Sequence, residues 1–261
     1  MTLRMTRDGG GNRLPLVLLH AFPLDPRMWG ATAALLAGGR TVVVPDLLGS
    51  HRRAEALPVP ALEAAADDVA AQLRTAGIPR AVVAGLSMGG YVALALLERH
   101  PELVAGLAVV DSKTTADPPE AAAHRHVRAA RLESSGTPDE VLPDVDVLVG
   151  ATTRATRPQV RVDVLGWVRE QVPAGLAWQQ RAMAARPDRT AVLAAFAGPV
   201  AVVVGDEDIP TPVDVARRTA DAARHAVLVV IPGVGHLSAV EDPAAVAAAL
   251  EALAARADTA G

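Results

Sequence analysis

Between Arg80 and Leu97 the chain changes character twice without a break. Ala81-Val82-Val83-Ala84 is a short apolar run of the kind that forms a strand buried on both faces. It runs into Gly85-Leu86-Ser87-Met88-Gly89, and from Tyr91 the sequence becomes Ala- and Leu-rich helix. A strand that turns directly into a helix around Gly-x-Ser-x-Gly admits few folds. The turn forces a strained backbone at its central residue, and the glycines let strand and helix pack closely around it. Ser87 then projects its hydroxyl above a sheet at a helix N-terminus, where developing negative charge is stabilised. The arrangement is a nucleophile elbow. The competing reading, a tight turn with an incidental serine, stands or falls on whether the rest of the chain supplies a base, an acid and an oxyanion hole.

Around this stretch, apolar strands and helices alternate. Leu16–His20, Thr41–Val44, Gly106–Val110, Val200–Val204 and Ala226–Ile231 read as further strands, with a short strand or two in residues 1–13 about a turn at Gly9-Gly10-Gly11. Helices are expected at Met28–Leu36, Leu62–Thr75, Val213–Ala223 and Pro243–Ala255, the second closing at Gly77 and Pro79. From about Ser112 to Phe196 the pattern is helical only, with candidates at Pro119–Glu133, Pro138–Leu148 (interrupted by Pro143), Arg157–Gln171, Ala174–Ala185 and Arg189–Phe196. Alternating strands and helices argue an α/β fold: a mostly parallel sheet covered by helices on both faces. One domain over 1–261 is expected, with the helical insertion at about 112–196 forming a cap over the carboxyl edge of the sheet, where ligands of open α/β sheets bind.

A serine hydroxyl needs a base, and the base needs a third group to hold its tautomer. His236 follows the last strand through Pro232-Gly233-Val234-Gly235, which puts it on the same sheet edge as Ser87. His100 reads as a helix C-terminal residue facing the dipole. His124 and His126, among Arg125, Arg128 and Arg131, read as a solvated helix face; His51 and His225 read as exposed, and His20 as a residue that orders its loop. For the acid, Gly205-Asp206-Glu207-Asp208 follows one core strand and Asp111 ends another, so spacing alone leaves the choice open. Met88, directly after the serine, supplies one oxyanion-hole N–H; Phe22, in the loop after Leu16–His20, is the candidate for the second, because Pro23 and Pro26 have none.

The composition narrows the partners. With 261 residues, 51% of them hydrophobic, and a net charge of −4, nothing suggests nucleic acid or an anionic membrane as a ligand. The absence of cysteine removes thiol nucleophiles and Cys-based metal sites. His-Glu-x-x-His does not occur, and Gly85–Gly90 lacks the G-x-G-x-x-G spacing of a dinucleotide site, so neither metal nor cofactor is expected. The N-terminus does not resemble a signal peptide and every apolar stretch is interrupted, so a soluble cytoplasmic protein is expected.

These residues together resemble the α/β-hydrolase superfamily over nearly the whole chain. Ser87, Asp208 and His236 occur in its Ser–acid–His order. Leu18-Leu19-His20-Ala21-Phe22-Pro23 resembles its HGFP oxyanion loop, and Pro45-Asp46-Leu47-Leu48-Gly49 its D-L-x-G loop. Gly205–Pro212 resembles the G-x-x-D-x-x-T-P segment, which favours Asp208 as the acid, and Gly235-His236 with Glu241-Asp242-Pro243 matches the family's closing motif. Phe22-Pro23-Leu24-Asp25, Met28-Trp29 and Arg181–Asp188 are similar to the capped esterases, cofactor-free haloperoxidases and β-ketoadipate enol-lactone hydrolases. Two departures stand out: Ala21 replaces the HGFP glycine, and Ser50-His51-Arg52 replaces a small, Gly-rich segment. The resemblance implies a hydrolase acting on a small ester or lactone through an acyl-enzyme on Ser87. The alternative is a ligand-binding or signalling protein of the same fold. Trp29, Trp167 and Trp178 either line the pocket or fill the core, with helical spacing favouring the core; Trp29 and Trp167 are the candidate substrate contacts. Scarce aromatics, 2% of the chain, predict a pocket of Leu, Val, Met and Ala suited to a small or medium acyl group.

Overall fold

The computed structural model describes residues 3–6, 13–51 and 53–259, so the expected Gly9–Gly11 turn and Arg52 lie outside the described residues. The strands are β1 (Leu3–Thr6), β2 (Leu16–Leu19), β3 (Val42–Pro45), β4 (Ala81–Leu86), β5 (Val104–Val110), β6 (Val200–Gly205) and β7 (Ala226–Ile231). They form one seven-stranded sheet in the order β1-β3-β2-β4-β5-β6-β7. Only β1 runs antiparallel, against β3. β2, β4, β5 and β6 are buried along their whole lengths, as continuous apolar runs in a parallel sheet require. β7, at the edge, is only partly buried.

Helices α1 (Gly30–Leu36), α2 (Leu62–Thr75) and α3 (Met88–Arg99) belong to the first crossovers. α2 buries Leu62, Ala65, Ala66, Val69, Ala70 and Leu73, one stripe at helical spacing. It ends in a Schellman motif: Gly77 has φ +71°, its N–H donates to the Arg74 carbonyl, and the Ile78 N–H reaches back to Leu73. Between β5 and β6 the chain is helical: α4 (Pro119–Ser135), α5 (Val145–Leu148), α6 (Ala151–Thr156), α7 (Pro158–Arg169), α8 (Pro173–Ala184) and α9 (Thr190–Ala195). α10 (Val213–Ala222), α11 (Ser238–Glu241) and α12 (Pro243–Thr259) complete the chain. α1 packs with α12 and α2 with α3, clothing the sheet on both faces. Among the described residues no helix is long and apolar enough to cross a membrane.

Local chemistry accounts for the differences from expectation. The helix predicted from Met28 begins as a 3-10 turn, Pro26–Trp29, capped by the Asp25 carboxylate, before α1. The helix predicted over Pro138–Leu148 splits at Pro143, leaving a 3-10 segment, Pro138–Asp144, and the single turn α5. α6 and α11, of six and four residues, are too short to display a helical period in the sequence.

Candidate functional site

Ser87 sits where β4 turns into α3, with φ +53° and ψ −113°. For a non-glycine residue such backbone costs about 1–3 kcal/mol and persists only where its surroundings enforce it. The enforcement is visible. A Cβ on Gly85 would lie 2.1 Å from the Gly89 carbonyl oxygen, and one on Gly89 would lie 2.2 Å from that of Leu19. The Ser87 N–H donates to the Val110 carbonyl at 2.9 Å, and the Ser112 hydroxyl donates to the Ser87 carbonyl at 2.8 Å. Both ends of the turn are therefore held while the side chain is free to act.

The Ser87 Oγ lies 2.9 Å from His236 Nε2, and His236 Nδ1 lies 2.9 Å from both carboxylate oxygens of Asp208. An ionised carboxylate only accepts, so the proton resides on Nδ1 and Nε2 is left to accept from Ser87. Asp208 is itself fixed by the Thr211 N–H at 2.8 Å and the Thr211 hydroxyl at 2.6 Å. Burial alone would push the His236 pKa down. The negative charge and hydrogen bond of Asp208, with Asp111 and Glu241 further off, more than offset this and raise it above the ordinary histidine value.

The three carboxylates after β6 divide their tasks. Asp208 meets the imidazole, Asp206 accepts from the Gly233 N–H at 2.7 Å, and Glu207 binds the N–H and hydroxyl of Thr152 in α6. Asp111, the alternative acid from the sequence, goes elsewhere. Its two oxygens accept from the Gly205 and Ser238 N–H groups, both at 3.1 Å. Burial and the nearby Asp208 charge push its carboxyl well above the usual range.

In the sequence Glu241 reads as part of a helix start and of the closing motif with Gly235-His236; in the structure it organises the His236 loop. Fully buried, it accepts from the backbone N–H groups of Gly150, Gly235 and Leu237 at 2.9–3.2 Å. The sequence signal was Glu241 lying five residues after the loop histidine in that motif. Gly150 and Leu148, whose carbonyl accepts from the His236 N–H at 2.8 Å, join the insertion to this loop.

His20 behaves as expected of a loop-ordering residue. Its Nε2 accepts from the Leu47 N–H at 3.1 Å and its Nδ1 lies 3.1 Å from the Ala21 carbonyl; burial lowers its pKa, which keeps the ring neutral. Ala21 has no left-handed φ, so a methyl group in place of the glycine is accommodated, and its N–H donates to the Met28 sulfur. The N–H groups of Phe22 and Met88 have no acceptor among the described residues. The Ser50 segment turns away from the site: Ser50 bonds Asp46, and the His51 N–H bonds Gln171. His51, His124, His126 and His225 are exposed as read; His100, at the end of α3, bonds Asp67 at 2.8 Å rather than facing the dipole alone.

Ser87, His236 and Phe22 open onto a cavity of about 280 Å³. Two expected tryptophan contacts, the aliphatic lining and the solvated Arg125–Arg128 face are corrected. Trp29 is fully buried beneath α1 and borders a separate hollow against β3, while the half-buried Trp167 does not reach the cavity. Trp178 is core, its indole N–H donating to the Pro58 carbonyl at 2.7 Å. The lining is also not wholly aliphatic. Val147, Leu148, Met183 and Pro210 form an apolar part, but Lys113, Arg125, Arg128 and Gln180 form another. Arg125 and Arg128, read as part of a solvated face, instead point inward because α4 packs on α8 along that side. Lys113, just beyond the carboxyl end of β5, was the sequence signal for this wall. Among the described residues no group of three His, Asp or Glu side chains is arranged to hold a metal ion.

The model of the family described as "Alpha/beta hydrolase family" matches residues 16–249. The chain belongs to that family. Among solved structures, this α/β hydrolase is similar to a thermophilic esterase from Thermogutta terrifontis, solved with malate bound: 33% identity, TM-score 0.93, covering 98% of this chain and 93% of that one. It is also similar to the enol-lactonase from Burkholderia xenovorans LB400, at 25% identity and TM-score 0.84, covering 96% and 95%. Among curated proteins it is 31% identical over 244 residues to the dihydrolipoyllysine-residue acetyltransferase component of the acetoin cleaving system of Pseudomonas putida, covering 92% of this chain and 63% of that protein. The chain spans less than two-thirds of the length of the first curated relatives it matches. The family match and the fold place this chain among the α/β hydrolases.

Proposed function

We propose that the protein cleaves a small carboxylic ester or lactone through an acyl-enzyme on Ser87. The observation that carries this reading is the unbroken line from Ser87 Oγ through His236 to Asp208, each link 2.9 Å, opening onto a cavity. As Oγ attacks the acyl carbon, its proton passes to His236 Nε2 and the carbonyl electrons move onto oxygen. The Phe22 and Met88 N–H groups receive that oxyanion, and Asp208 stabilises the imidazolium. Collapse breaks the bond to the alcohol oxygen, which takes the proton from His236. Water then repeats the sequence on the acyl-enzyme, returning Ser87 and releasing the acid. The helical insertion acts as a cap, excluding bulk solvent from these steps.

The test pairs labelling with turnover. A fluorophosphonate should label the wild type at Ser87, an activated short-chain ester should be turned over many times, and Ser87→Ala should lose both. Labelling with no multiple turnover of any ester would favour a ligand-binding protein on this fold, and unchanged turnover by Ser87→Ala would refute the mechanism.

A further inference from the structure

The insertion side of the cavity carries more positive charge than the protein itself neutralises. Lys113, Arg125 and Arg186 converge on one carboxylate, Asp117: Lys113 Nζ at 3.8 Å, Arg125 Nε at 2.5 Å and an Arg186 Nη at 2.6 Å. Three cations thus share one anion. Asp117 registers the excess: burial alone would raise its carboxyl, but Arg186 and Arg125 hold it down at about 2. The neighbouring Arg128 contributes nothing to the surplus, because Asp144 pairs with it at 2.6 Å.

Hydrogen-bond donors are in surplus at the same place. Gln180 is almost fully buried and lines the cavity. Its Oε1 accepts from Arg125 Nη1 at 3.2 Å; an arginine only donates, so the amide orientation is determined. The Gln180 Nε2 is then left buried with no partner. Arg125 spends Nε on Asp117 and Nη1 on Gln180, and its Nη2 has no acceptor among the described residues. Of the two, the Gln180 Nε2 is the buried one, and a buried donor without an acceptor is unfavourable unless a ligand satisfies it. Asp144, the one carboxylate in this lining, is already engaged by Arg128.

We propose that Lys113, Arg125 and Gln180 form a carboxylate-binding subsite facing Ser87 across the cavity, so that the preferred substrate is a small ester or lactone bearing a free carboxylate. This rests on the hydrolase reading above. A planar carboxylate would accept from the Arg125 Nη2 and the Gln180 Nε2 while Lys113 adds charge at short range. At about 280 Å³ the cavity is at the small end of ligand pockets, so both ends of a short diacid half-ester would reach their partners within it. The apolar residues would cover the chain between.

Two measurements on the full-length protein decide it. The first compares kcat/KM for monoethyl succinate with that for ethyl valerate, a neutral ester of similar size. The half-ester should be preferred by about tenfold or more at low ionic strength, as a charge-assisted contact implies, and the preference should shrink with added salt. Arg125→Leu and Gln180→Leu should each lower that ratio; the second removes no ion pair and covers the case in which the first does not fold. Turnover of ethyl valerate with no preference for the half-ester would overturn the proposal. The second measurement is calorimetric titration with succinate, which needs no catalysis. Succinate should bind the wild type and bind Gln180→Leu more weakly. No binding, or inorganic phosphate binding as tightly as succinate, would overturn the carboxylate assignment. Succinate binding without turnover of either ester would instead keep the subsite and remove the hydrolase reading.

Discussion

The two walls of the cavity are held by different means. On the sheet side, charged groups are satisfied by backbone: Glu241 takes N–H groups from Gly150, Gly235 and Leu237, Asp111 those of Gly205 and Ser238, and Asp208 that of Thr211. Those donors are fixed by the strands and turns that carry them, and they exist whatever the neighbouring side chains are. On the insertion side the charged groups meet other side chains, Arg128 meeting Asp144 and Arg125 and Arg186 meeting Asp117, on helices and loops outside the sheet. A site that must hold three atoms in line suits the first construction. A wall that sets which substrate is accepted suits the second, since side-chain contacts change without disturbing the strand ends.

The contrast implies graded consequences. The largest lies at Asp208. Asp208→Asn should keep the loop but favour the wrong imidazole tautomer, lowering kcat by about 10³–10⁴-fold; activity within tenfold of wild type would mean that Asp111 or another group orients His236. Next is Glu241→Gln. The amide presents an NH₂ where a carboxylate oxygen accepted, leaving at least one buried N–H unpartnered, so denaturant unfolding should report a loss of about 2–3 kcal/mol. A neutral result would show that the sheet side is not held by this carboxylate.

A smaller effect is expected in the pH profile. His236 must be neutral to take the serine proton, and its pKa is raised, so the protonated, inactive form persists to higher pH. The acidic limb of kcat/KM should accordingly have its midpoint above 6.5, the ordinary histidine value; a midpoint below it would contradict the placement of Asp208, Asp111 and Glu241 around the ring. Smallest of all, Trp167→Phe should leave ester preference unchanged, because the indole does not reach the cavity. A changed preference would mean that the insertion wall extends further than the cavity lining indicates.

What could be read from the chain follows the same division. β2 to β6 announced themselves because each is a short buried apolar run, and Ser87, Asp208 and His236 because each follows within a few residues of a strand end. Backbone-organised features repeat in sequence what they do in space. Spacing could not separate Asp208 from Asp111: both end strands on the same edge, and only the Thr211 turn aims Asp208 at the ring. The insertion resisted because its helices meet side by side. Arg125 and Arg128 lie in a stretch that is otherwise polar and exposed, and their inward direction depends on α8 packing against α4, which no local pattern encodes. For Trp29 and Trp167 helical spacing favours the core over a pocket wall, and neither lines the cavity.

The central claim is that Ser87 carries the acyl group during turnover. Intact-protein mass spectrometry of enzyme quenched in acid during reaction with p-nitrophenyl acetate tests it directly, with peptide mapping to locate any adduct. An acetyl adduct on the peptide containing Ser87, absent from Ser87→Ala, is the predicted result. Steady ester turnover with no adduct, or an adduct confined to another residue, would contradict it.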